Sequence, residues 1–265
     1  MTVLLDLVSH LLIGLLLINM VVEAIRLPGQ AGRFRGLLTA APAARLRFYR
    51  RLVAASWAVA APVPVIMWTS SGLSAADLGW AWPNGDGLDY LFAGVLLVSI
   101  VLGGRARRRL VRGGGLSPGQ VNPMVPQTGA ERRWAAMVAV SAGITEEMVY
   151  RGLLIGVGTV LYDLPTVPVV LAALALFVAG HIHQGWRSVA PVALLGGLFT
   201  VIYLMSGSLL LAMVVHVSWD LAILLVPLPV SKPVPEPTMA QTAAPTAAPT
   251  VAPTVAPTVE PPVVC

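Results

Sequence analysis

The sequence predicts an all-α polytopic membrane protein with about seven transmembrane helices. Of its 265 residues 57% are hydrophobic and only 11% charged, whereas soluble domains carry roughly 25% charged residues. The apolar residues gather into runs that approach the ~20 positions needed to cross a bilayer at 1.5 Å per residue. The arginines gather into two blocks, positions 26–51 and 105–133. Two apolar runs separate the blocks, so both fall on one side, which the positive-inside rule makes cytoplasmic. That placement accounts for the net charge of +5 without a nucleic-acid partner. All 17 basic residues but Lys232 are arginine, a bias typical of GC-rich bacterial coding sequences.

Residues 3–25 form the first span. It is too long for a signal-peptide core, lacks a basic leader and carries Asp6, His10 and Glu23; His10 reads as interfacial. The basic segment that follows offers two readings: an interfacial helix over 43–53, with Arg45, Arg47, Arg50 and Arg51 reaching toward lipid phosphates, and a plain topology determinant, which is favoured. Span two covers 53–68 and tolerates Pro62 and Pro64 where neighbours satisfy the freed carbonyls. The next loop has Asp77, Asp86 and Asp89, no basic residue, and Trp80 and Trp82 suited to an interface, so it is expected outside. Span three covers 88–104. A Gly/Pro-containing connector, 113–129, then separates an accessory half from a core half.

Span four starts near Trp134 and runs to about Leu161. At roughly 28 residues it exceeds what crossing needs, so it must tilt, kink or break. Spans five, six and seven cover 166–183, 189–205 and 208–226, and the tight turn Ser206-Gly207-Ser208 makes the last two an antiparallel hairpin. Seven spans put the N-terminus outside and the C-terminus in the cytoplasm, leaving Arg151 as the one basic residue away from the cytoplasmic side. After Pro229 prolines recur every four residues from Pro245 to Pro261, a pattern that builds no core and predicts an extended, disordered tail. The sole cysteine, Cys265, is the last residue and forms neither an intrachain disulfide nor a prenylation signal. The expected organisation is an accessory transmembrane region at 1–130, a core at 131–228 with its last four helices as the catalytic bundle, and a tail at 229–265.

Inside that core the polar residues stand out. Thr145-Glu146-Glu147-Met148-Val149-Tyr150-Arg151-Gly152 places two carboxylates and a guanidinium at hydrocarbon depth. Each such charge costs from ~2.5 kcal/mol upward there, so such groups face a protein interior or a wet cavity and mark function. Glu147 and Arg151 share a helix face at i, i+4 with the acid N-terminal. A structural ion pair would explain those two but leave Glu146 uncompensated. Two further groups follow on separate spans: Phe177-x-x-x-His181, with His183 beyond it, and His216-x-x-x-Asp220. At 1.5 Å per residue, Glu146, His181 and His216 fall at depths that let them surround one cavity open to the cytoplasmic side.

Glu-Glu-Met-Val-Tyr-Arg-Gly, then Phe-Val-Ala-Gly-His, then His-Val-Ser-Trp-Asp resemble the three ordered motifs of the CPBP family, the CAAX-protease and bacteriocin-processing intramembrane glutamic endopeptidases. The match covers about 132–226, and Asp77-Leu78-Gly79 faintly resembles a segment common upstream of it. The resemblance implies a peptide hydrolase in which Glu146 activates water, His181 helps to hold that water, Glu147 and Arg151 orient the site, and His216 with residue 220 stabilises the oxyanion. Asp220 departs from the Asn of the eukaryotic members. An ionised Asp cannot donate to an oxyanion and would instead fix and charge His216. Tyr150 stands where Phe is commoner.

The expected partners are a peptide or protein substrate, including membrane-associated ones, and the lipid bilayer, in a bacterial inner membrane. No cofactor is expected. Two His and a Glu would also suit catalytic zinc, but His-Glu-x-x-His is absent and zinc is disfavoured. The alternative is a non-enzymatic membrane immunity or assembly factor of the same fold. A proton-coupled transporter would use the same buried Glu and His residues, yet the halves show no internal repeat.

Overall fold

The computed structural model describes residues 2–40, 42–83, 87–112, 126 and 128–225, apart from the side chains at 2, 27–40, 42–43, 88–89, 106–108 and 110–112. The proline-repeat tail, Cys265, Lys232, most of the Gly/Pro connector and the side chains of Arg33, Arg35, Asp86, Asp89, Arg107, Arg108 and Arg112 therefore lie outside the described residues. All regular structure among the described residues is helical. The elements are α1 (Thr2–Ala40), α2 (Pro42–Ala60), α3 (Pro62–Thr69), α4 (Leu88–Arg112), α5 (Gly129–Glu146), a π-helix (Glu147–Leu153), α6 (Leu154–Gly156), a second π-helix (Val157–Leu161), α7 (Thr166–His181), a 3₁₀ turn (Ile182–Gln184), α8 (Trp186–Ser206) and α9 (Leu209–Leu224).

These elements form seven rods, as the sequence predicts, and the protein is an integral membrane protein. Four rods are long and apolar enough to cross a bilayer: Val3–Arg26, Ala44–Thr69, Thr166–Gln184 and Trp186–Ser206. Tyr90–Arg105 and Leu209–Leu224 are shorter apolar helices. The seventh rod, α5 through the second π-helix, carries the charged motif. Its apolar run is interrupted by Glu146, Glu147 and Arg151, so composition alone does not mark it as a span. Lipid-facing positions are apolar, as at Val3, Leu11, Val98, Val167 and Leu194, all exposed. Without water to drive burial, such helices associate through close packing and interhelical hydrogen bonds.

The first span ends where expected, at Arg26, and helix α1 continues past it to Ala40. One expectation about the basic segment changes. The interfacial helix considered over 43–53 is the start of the rod that becomes span two. It packs on α5 instead of lying free on the membrane surface: Arg45 Nε is 3.2 Å from Glu131 Oε2, and the Arg50 guanidinium lies 5.0 Å from the centre of the Trp134 ring.

Local chemistry sets the rod ends that matter for the site. Thr128 and Glu131 form a reciprocal capping box that starts α5. Pro62 occupies the first turn of α3, where its missing N–H costs nothing. Gly207 supplies the left-handed residue (φ 62°) of the α8–α9 hairpin, and the Ser208 hydroxyl caps α9 by accepting from Leu210 N–H. The overlong fourth rod is interrupted, as its length requires: two stretches widen to π-helical i→i+5 bonding, a form frequent at functional sites.

At one end of the bundle, residues 70–83 fold back among the helices. Asp77 accepts from the Ser74 hydroxyl and amide, which hold its carboxyl below the usual carboxylate range. Leu78 is fully buried, Leu209 N–H donates to Gly79 C=O at 2.8 Å, and the Ser208 hydroxyl donates to Ala81 C=O at 2.6 Å. At the same end Asp6 accepts from the amide and hydroxyl of Ser71, and His10 pairs with the Tyr162 hydroxyl at 2.9 Å. His10 is thus an exposed clasp between α1 and the end of the charged rod.

Candidate active site

The site is assembled where α5 passes into the first π-helix, against α7, α8 and α9. Glu146 is the last residue of α5 and Glu147 the first of the π-helix, so the two carboxylates leave the rod in different directions. Glu147 is fully buried, and Oε1 accepts from two donors: Arg151 Nη1 at 3.0 Å and His216 Nδ1 at 2.7 Å. Both are charge-assisted when the donor is cationic, the stronger class of hydrogen bond.

Arg151, 2% exposed, is satisfied by three elements. Besides Glu147 it donates from Nη2 to Gly196 C=O at 2.8 Å and from Nε to the Thr200 hydroxyl at 3.3 Å. Its guanidinium lies over the Phe177 ring, 4.5 Å from the centroid. A buried cation with this many partners is held in place and offers little to a substrate.

Glu146 is arranged otherwise. Its side chain is 24% exposed, and Oε2 lies 3.8 Å from His181 Nε2 and 3.9 Å from His216 Nε2. Among the described residues, Glu146 Oε2 and Glu147 Oε2 are buried without a hydrogen-bond partner. The orientation of His181 is set from behind, since Nδ1–H donates to Phe177 C=O one turn earlier at 2.8 Å. That bond defines the tautomer and leaves Nε2 facing Glu146. The i, i+4 spacing of Phe177 and His181 is therefore a hydrogen bond as well as a shared face.

The six residues singled out in the sequence thus meet in one place. Glu147 and Arg151 pair as their spacing predicts. The expected pairing of His216 with Asp220 is only approximate: Asp220 Oδ2 stands 3.8 Å from Nε2, beyond hydrogen-bond range. Glu147, not Asp220, holds the ring, with Oε1 2.7 Å from Nδ1. His183, expected at an interface, packs its ring against that of His181 with centroids 6.4 Å apart and donates from Nδ1 to Gly180 C=O. Among the described residues no three His, Cys, Asp or Glu side chains are grouped so as to hold a metal ion.

Two features of the site had little or no sequence signal. α8, to which no functional residue was assigned, supplies Gly196, Phe199 and Thr200; only Thr200, a hydroxyl four residues after a glycine in an apolar run, gave any hint. At Gly143 the backbones of α5 and α9 approach so closely that a Cβ would stand 2.8 Å from Val217 N and 3.1 Å from Val217 Cα, next to His216.

This geometry agrees with comparison to known proteins. Residues 130–222 match the family described as type II CAAX prenyl endopeptidase Rce1-like. Comparisons with curated proteins and with solved structures gave no match. The matched segment contains every residue of the Glu146, His181 and His216 cluster, with α5 through α9 around it. Residues 130–222 thus belong to the CPBP family, as an Rce1-like domain of the CAAX-protease-like membrane endopeptidase kind.

Proposed function

We propose that the protein is a glutamic intramembrane endopeptidase in which Glu146 is the general base. The observation that carries this reading is the disposition of Glu146 Oε2, 3.8 Å from His181 Nε2, 3.9 Å from His216 Nε2 and otherwise without a partner. Separations of that size are too long for direct hydrogen bonds and short enough for one water to touch two of the groups.

In the proposed reaction Glu146 takes a proton from water as the water oxygen attacks the scissile carbonyl carbon, while His181 Nε2 holds that water. In its protonated form His216 presents Nε2–H to the oxygen on which negative charge develops. The tetrahedral intermediate then collapses, the C–N bond breaks, and the proton on Glu146 passes to the leaving nitrogen. Glu147 and Arg151 take no part in bond making; they fix the His216 ring and neutralise each other. Asp220 Oδ2 stands 3.8 Å from the same Nε2 and is not bonded to it. No cofactor is required by this scheme.

The orientation proposed is N-terminus outside and C-terminus cytoplasmic, in a bacterial inner membrane. It places the 70–83 segment outside and the arginine blocks inside. The segment closes the outer end of the bundle, so the substrate would approach from the cytoplasmic side. Suitable substrates are peptides or proteins, including membrane-associated ones.

The test compares purified wild-type and Glu146→Gln protein on a fluorescent farnesylated CaaX peptide, together with the peptide termini of cells expressing each form. Loss of every wild-type-dependent terminus in Glu146→Gln is the expected result. Equal turnover by both would overturn the assignment and favour a non-enzymatic membrane immunity or assembly factor. Full activity after metal chelation is also expected, and its loss would favour zinc.

A further inference from the structure

The hydrogen bond from His216 Nδ1 to Glu147 anchors one corner of the imidazole and, because a single hydrogen bond tolerates tens of degrees in angle, sets the plane of the ring only loosely. Histidine χ2 is a broad torsion with weak intrinsic preference, so rotamer energetics do not supply the missing constraint. If Nε2 is to point at the reaction centre, something else must set that plane.

The constraint comes from α8. The Phe199 ring, 1% exposed, lies face to face with His216: the centroids are 4.5 Å apart and the planes 21° from parallel. Stacking at this separation is a favourable aromatic arrangement. Phe177 also approaches the imidazole, at a steep angle, with centroids 6.4 Å apart and planes at 74°. Phe199 is itself held by burial, and Gly196, one turn before it on the same helix face, is tied to Arg151. Its ring also approaches the Arg151 guanidinium, 5.8 Å from the centroid. Arg151 thereby links the ring that stacks on His216 to the carboxylate that bonds it.

We propose that Phe199 is a positioning residue for His216, its ring face setting the plane of the imidazole and so the direction of Nε2. Phe199 lies outside the three motifs around Glu146, His181 and His216, and it touches no reacting atom. The inference rests on the reading of His216 as the oxyanion donor.

The experiment uses full-length protein in detergent, labelled with ¹³C-histidine, with the His216 signals assigned by their loss in His216→Ala. A ring stacked on Phe199 has its C–H protons shifted upfield by the ring current. The expected result is an upfield His216 signal in the wild type that moves back in Phe199→Leu and persists in Phe199→Tyr. On the farnesylated peptide, Phe199→Leu should lose about 10- to 100-fold in kcat, the scale expected for misplacing a catalytic group by up to ~1 Å, with KM unchanged. Phe199→Tyr should restore most of the rate.

A wild-type His216 signal at an ordinary shift would overturn the proposal without any variant. So would wild-type kcat in Phe199→Leu. Should Phe199→Leu reduce the yield of folded protein, Phe199→Met is read in the same two assays. The magnetic-resonance result does not depend on catalysis. An upfield signal in a protein whose Glu146→Gln form cleaves normally would sink the peptidase mechanism and leave the stacking intact.

Discussion

Gly143→Ala adds one methyl group, away from any catalytic atom, and is expected to disable the enzyme. The new Cβ would stand 2.6 Å from Val217 Cγ2, 2.8 Å from Val217 N and 3.1 Å from Val217 Cα. The side-chain methyl can rotate away, but the backbone atoms of α9 cannot. Ordinary contact begins near 3.4 Å, so α5 and α9 must separate by about 0.6 Å at this level. His216 precedes Val217 and bonds Glu147 on the other helix at 2.7 Å. The same displacement would stretch that bond to about 3.3 Å and weaken it. Overpacking of this kind costs ~1–3 kcal/mol, which a bundle of seven rods tolerates. A misplacement approaching 1 Å costs up to ~10²-fold in rate. Gly143→Ala should therefore insert, purify and unfold within a few degrees of the wild type, yet cleave the farnesylated peptide about 10- to 100-fold more slowly. Gly143→Ser, with a bulkier side chain on the same Cβ, should do no better. Wild-type turnover in Gly143→Ala would refute the idea that the α5–α9 approach sets the position of His216.

Other perturbations separate chemistry from architecture. His181→Ala and His216→Ala should nearly abolish cleavage, since general-base and oxyanion terms are each worth ~10²–10⁴ in rate; both should remain folded by thermal unfolding in detergent. Glu147→Ala should differ, because it strands Arg151 as a buried cation at a cost of ~3–5 kcal/mol, visible as poor expression. Glu147→Ala with Arg151→Leu should recover expression and not activity, and recovery of both would mean that Glu147 does not hold His216. A cytoplasmic reporter fused after Gly115 should be active and one fused near Gly85 silent; the opposite pattern would invert the proposed orientation.

The residues easiest to find in the sequence were those that cost most to bury. Glu146, Glu147, Arg151, His181, His216 and Asp220 contrast with the apolar runs around them, and the structure gathers all six. Phe199 offers no such contrast, being one apolar residue in an apolar helix. Its role comes from a neighbour more than a dozen positions away, which one-dimensional pattern does not carry. The pairing of His216 went to the sequence neighbour Asp220 because i, i+4 spacing is visible, whereas the contact with Glu147 depends on how α9 sits against the fourth rod. Hydropathy located the spans but not the helix ends: it reports where lipid begins, and α1 continues past that point to Ala40. The interruption of the fourth rod was legible from its length alone, and its π-helical form was not.

The widened turn at Glu147–Leu153 has a consequence for how this chain can change. A π segment accommodates an additional residue within an otherwise α-helical path. Removing one residue between Met148 and Leu153 would let the rod return to regular α-helix, with a better-bonded backbone. The rod beyond would keep nearly its present phase, because the wide turn had absorbed the extra residue. Gly152 and Gly156 would go on facing the Leu78 and Asp77 carbonyls they now admit. The change would fall inside the turn: with Val149 or Tyr150 removed, Glu147 and Arg151 stand three residues apart instead of four, and the bond between them must form anew. An apolar exchange such as Val149→Ile leaves that spacing intact, while a one-residue gap alters the site and spares the helices around it.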